Sequence, residues 1–67
     1  MEFAFKMSDG SIYYVDGPNR DRIHKANSGT GWARFAEVDA EQPGPFDTRN
    51  RVRVQINVDH IVSIEQL

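Results

Sequence analysis

The chain predicts a mainly β, α+β fold of about five short strands, with one short helix between strands 2 and 3. Three observations predict it. Val52, Val54, Ile56 and Val58 recur at every second residue between Arg51, Arg53, Gln55 and Asn57, the period of a half-buried strand. Phe3, Phe5 and Met7 alternate in the same way and run into Asp9-Gly10, a pair that favours a tight hairpin turn. Pro18 opens a stretch that tolerates helix, because its missing N–H would lack a partner in a first turn anyway. A flat sheet of five such strands would leave one apolar face uncovered, so a strongly bent sheet or small open barrel is expected.

Taken in order, Phe3 to Met7 is the first strand, Ser8 to Ser11 the turn, and Ile12 to Val15 the returning strand. Either Ile12 with Tyr14 or Tyr13 with Val15 faces inward. Asp16-Gly17-Pro18 ends that strand, and Asn19 to Asn27 forms the helix, lying on the sheet by Ile23 with Ala26 three residues on. Gly29 is placed to terminate it in the left-handed conformation. Trp32 to Val38 reads as strand 3. Ala40 to Thr48 reads as a long loop, since Pro43 and Pro45 around Gly44 remove donors and fix the backbone. Strand 4 follows, then a corner over Asn57 to His60, then a last strand beginning Ile61-Val62-Ser63-Ile64.

With 67 residues, 1–67 form one domain. A chain of this size buries only about 60% of its unfolded surface, so stability is marginal and subunit association would add to it. There are no cysteines, which excludes disulfides and cysteine-based zinc sites. The acidic, alternating start is not a signal peptide, and no apolar run approaches the ~20 residues of a membrane span. A soluble cytoplasmic protein is expected, with no membrane contact.

The net charge of -2 is small but uneven: residues 1 to 17 carry -2, 18 to 34 carry +3, 35 to 48 carry -4 and 49 to 67 carry +1. Opposed patches on one small body favour contacts between copies as readily as a foreign ligand.

The tail Ile56-Asn57-Val58-Asp59-His60-Ile61-Val62-Ser63-Ile64-Glu65 resembles that of very small bacterial and phage-borne β proteins, in which a strand, an Ile-Asn turn and a last strand close the fold. The strand, Asp-Gly, strand opening over Phe3 to Val15 looks like the start of the same group. The ending is also similar to SH3-like and Sm-like small barrels. What these resemblances imply is a fold. The helix between strands 2 and 3 departs from the Sm pattern, where a helix precedes the first strand, so no RNA-binding residues are carried over.

Few residues point to chemistry. Arg49, Arg51 and Arg53 share the solvent face of strand 4, and Arg34 could join them if strands 3 and 4 pair. Such a stripe could hold phosphates, with Trp32 stacking on a base. The competing reading is a solvated face on which the arginines answer Glu37 and Asp39 across the hairpin. Overall acidity lowers the nucleic-acid case further. Asn27 to Gly31 follows a helix instead of preceding one, so it is not a phosphate loop. His24 and His60 lack carboxylates at ligand spacing, and no catalytic residue, metal site or cofactor is expected. Phe46 in the Pro-Gly-Pro loop either folds back on its own core or anchors a partner. The expected function is a non-enzymatic binding or regulatory module acting through protein contacts and self-association; the alternative is nucleic-acid or nucleotide binding by Arg34, Arg49, Arg51, Arg53 and Trp32.

Overall fold

The computed structural model describes residues 1–28 and 34–67. In chain order it contains β1 (Glu2–Met7), β2 (Ile12–Asp16), α1 (Gly17–Ser28), β3 (Phe35–Pro43), β4 (Arg49–Asn57) and β5 (Ile61–Gln66), with a turn at Pro45–Asp47 and a 3₁₀ corner at Val58–His60. The strands form one antiparallel sheet in the order β4-β3-β2-β1-β5. The fold is mainly β with a single helix between strands 2 and 3 among the described residues, as the alternation predicts.

The β1–β2 turn closes as Asp9-Gly10 dictates. Gly10 takes φ 90°, the Met7 and Gly10 amides donate to the Ser11 and Met7 carbonyls at 2.9 and 3.0 Å, and Asp9 Oδ1 accepts from the Ser11 amide at 2.8 Å. The register pairs Phe3 with Val15 and Phe5 with Tyr13, which settles the inward face of β2 as Tyr13 and Val15. At the other end of β2, Asp16 caps α1: its Oδ1 accepts from the Asn19 backbone and side-chain amides at 3.0 and 2.9 Å. The helix starts at Gly17, with Pro18 in its first turn as the sequence reading placed it. Ile23 is its one fully buried side chain among the described residues, with Ala26 partly buried beside it. Gly29 and Trp32 lie outside the described residues.

β3 corrects the sequence reading. It begins at Phe35 and runs through Pro43, so Ala40 to Pro43, expected as loop, belongs to the strand. Pairing overrides the proline: Ala40 is buried opposite Val52, and Pro43 stands at the strand's last position, where a missing N–H interrupts the ladder least. β3 and β4 pair continuously from Phe35↔Asn57 to Pro43↔Arg49, leaving Gly44 to Thr48 as the loop. Within it the Thr48 amide donates to the Pro45 carbonyl at 3.1 Å while Phe46 (φ 56°, ψ 41°) and Asp47 (φ 59°) are both left-handed. That combination is a type I′ hairpin turn, whose twist matches the flanking strands. Gly44 is required under it, since a Cβ there would meet Thr48 Oγ1 at 2.6 Å.

β4 and β5 occupy opposite edges of the sheet yet are joined by only Val58–His60. Four strand spacings of a flat sheet span ~19 Å, and three 3₁₀ residues rise ~6 Å. The sheet must therefore curl, and its concave face holds the core: Phe3, Phe5, Val15, Val38, Ala40, Ile56 and Val58 around Ile23. The corner is fixed by Asn57, whose side chain accepts from the Asp59 amide at 2.9 Å, by the Val58 amide on the Arg34 carbonyl at 2.8 Å, and by the Ser8 amide on the His60 carbonyl at 2.7 Å.

Candidate interaction surface

On the convex face of the β3–β4 hairpin, the period of two that buries Val52, Val54 and Ile56 also lines up Arg49, Arg51 and Arg53 opposite Pro43, Glu41 and Asp39. The arginines largely answer carboxylates. Arg53 pairs with Glu37 at 3.1 Å and Asp39 at 3.0 Å. Arg49 reaches Glu2 at 2.6 Å and Glu41 at 3.9 Å, and its guanidinium lies 3.9 Å from the Tyr14 ring centre. Hydrogen bonds to Asp39 and Glu2 hold the Arg53 and Arg49 guanidiniums more firmly protonated than usual. Arg51 makes no ion pair among the described residues and lines a hollow of about 290 Å³ with Asp39, Ala40, Val52 and Arg53.

Arg34 does not join this stripe. It precedes β3 at the end of the hairpin nearest the corner and pairs with Asp59 at 2.8 Å. That hydrogen bond lowers the Asp59 carboxyl below its ordinary value. Although strands 3 and 4 pair, their antiparallel register sets Arg34 beyond Phe35↔Asn57, five residues along β3 from the Asp39↔Arg53 pair. His24 is exposed on α1, and His60 is exposed at the corner, each lining a different hollow. Among the described residues no cluster of His, Cys, Asp or Glu is arranged to hold a metal ion, and no helix is long and apolar enough to cross a membrane.

Phe46 does not fold back. At the tip of the hairpin it is 97% exposed, because the type I′ turn directs it away from the sheet. Its backbone stands in the left-handed region, which disfavours a bulky side chain. A large exposed apolar residue in a strained conformation makes no stabilising contact within its own chain.

Sequence reasoning missed a second apolar region. Among the described residues β5 pairs only with β1, and nothing there covers its outer edge. Val62, Ile64 and Leu67 along or just beyond it are 69%, 55% and 55% exposed. The register shift between Lys6 and Met7 inserts Val62 as an extra residue, and Ile64 falls opposite Phe5 on the concave side. There, Ile64, Ile61, Val58, Phe5 and Ile23 line a cavity of about 190 Å³ between α1 and β5, rimmed by Arg20 and His24. An apolar run such as Ile61 to Ile64 reads as buried strand; only the strand order reveals that it is an edge.

No family model matches the chain, and neither a curated protein nor a solved structure matches it.

Proposed function

We propose that this chain is a non-enzymatic binding module that works through protein contacts, first of all with copies of itself. The observation that carries this reading is the β5 edge, unpaired among the described residues, with Val62, Ile64 and Leu67 in solvent. Unpaired edge strands are normally guarded by charge, and Arg49, Arg51 and Arg53 serve that role on β4. β5 carries a single charged residue, Glu65. An uncovered apolar edge on so small a domain gains both backbone pairing and burial by association. The curl of the sheet and the 3₁₀ corner support an SH3-like outline for the module, and a cytoplasmic setting belongs to the same reading. Light scattering should give a mass that is a multiple of 7.7 kDa, reduced by Val62→Lys. A single-chain mass at high protein concentration, with no protein retained in a pull-down, would remove the reading.

A second reading, nucleic-acid or nucleotide binding on the arginine face, has Arg51 in its favour as the stripe member without an ion pair among the described residues. Against it, Glu2, Glu37, Asp39 and Glu41 share that face. It requires salt-sensitive binding that Arg51→Glu with Arg53→Glu abolishes.

A further inference from the structure

We infer that Phe46 of one copy inserts into the cavity between α1 and β5 of a second copy. This rests on the self-association reading above and assigns it a knob and a hole. The knob is a phenyl ring 97% exposed at the tip of a type I′ turn whose two central residues are left-handed. The hole is an open cleft of about 190 Å³ with an apolar floor of Phe5, Ile23, Val58, Ile61 and Ile64, completed by Arg20, His24 and Asn27. Its volume exceeds the roughly 150 Å³ that takes benzene in an enclosed apolar cavity, so a phenyl ring fits over the apolar floor.

Charge agrees with shape. Asp47 accompanies Phe46 at the tip and makes no ion pair among the described residues, while the rim of the cavity carries Arg20 and His24, with Arg22 exposed on the same helix. Arg20 is already poised there, stacked 5.0 Å over Phe3 and 3.0 Å from Asp21, where a second carboxylate can share it. Tip and corner lie at the two ends of β4, ~30 Å of strand apart by contour, and Phe46 does not line its own cavity. Two copies set antiparallel about a two-fold axis would place each tip at the other's cavity. Such a contact is self-complementary and closes as a dimer. The left-handed tip is then accounted for, since docking buries the aromatic anchor that it presents.

Mixing of two variants tests this. Phe46→Glu destroys the knob and Ile64→Lys the hole, and both positions are exposed enough for the fold to persist, which far-UV circular dichroism checks. Each variant alone should sediment as a single chain of 7.7 kDa, with dimer affinity weakened roughly 30-fold or more. Mixed one to one at high concentration, they should recover a dimer weaker than wild type, held by one of the two insertions, because the Ile64→Lys chain keeps its tip and the Phe46→Glu chain keeps its cavity. If Phe46→Glu retains the wild-type mass, the insertion is wrong while self-association by another surface stands. If both variants dissociate but mixing restores nothing, the insertion is likewise overturned. If the wild-type chain is itself a single chain at high concentration, both readings fall together.

Discussion

Replacing Phe46 with glycine should make the isolated chain more stable while removing the most exposed aromatic among the described residues. Phe46 sits at φ 56°, ψ 41°, and a non-glycine residue in that region costs about 1–2 kcal/mol. Almost no compensating burial is lost, since the ring is 97% exposed. Glycine brings its own penalty by loosening the unfolded chain, about 0.4–1 kcal/mol. The balance is a gain of about 1 kcal/mol, which in a domain this small raises the melting temperature by roughly 4–8 °C. Melting followed by far-UV circular dichroism should show this at a protein concentration dilute enough for light scattering to report one chain, so that assembly does not contribute. Phe46→Ala is the control: it deletes the ring but keeps the Cβ that clashes, so its melting temperature should stay near wild type. A fall in stability for Phe46→Gly, or an equal rise for Phe46→Ala, would refute the argument that backbone strain is stored at the tip without intramolecular return.

Other outcomes follow from the core, the helix cap and the carboxylates. Ile56 is fully buried at the centre of the core, and Ile56→Ala should cost about 2–5 kcal/mol, a large part of the roughly 3–10 kcal/mol expected for a chain of this length; a urea midpoint barely changed would contradict the packing described. Asp16→Ala should cost about 1 kcal/mol by uncapping α1 and Asp16→Asn much less, with equal losses for both counting against the cap. Asp59 is lowered from its ordinary value of 3.8 by the hydrogen bond from Arg34, and Asp9 by that from the Ser11 amide. A depressed folded value means the unfolded chain takes up protons first, so these groups contribute stability above the ordinary value and lose it as pH falls from there through the folded value. Both are exposed, so the effect should be small and screened by salt; Asp59→Asn should flatten the acid limb of stability against pH, and an unchanged limb would show that the Arg34 pair contributes nothing.

Legibility in the sequence followed the strength of local signals. The Asp9-Gly10 hairpin and the Val52 to Val58 alternation were readable because turn chemistry and side-chain period act over a few residues. So was the Asn57 corner, where the side chain caps its own turn. Ala40 to Pro43 was not readable as strand, since its conformation is set by pairing with the partner strand while Pro43, with Gly44 and Pro45 just beyond, argues the other way. At the surface, the arginine stripe was visible from period alone, but the pairing of Arg49 with Glu2, 47 residues away, requires the register of four strands. The exposed edge was hidden for a related reason. Val62 and Ile64 carry the composition of interior residues, and only the position of β5 at the rim of the sheet leaves them in solvent.

Mass by light scattering as a function of concentration tests the central claim of self-association most directly. The wild-type chain should give a dimer of twice 7.7 kDa that falls to a single chain on Phe46→Glu. A wild-type mass of 7.7 kDa at the highest attainable concentration would contradict it.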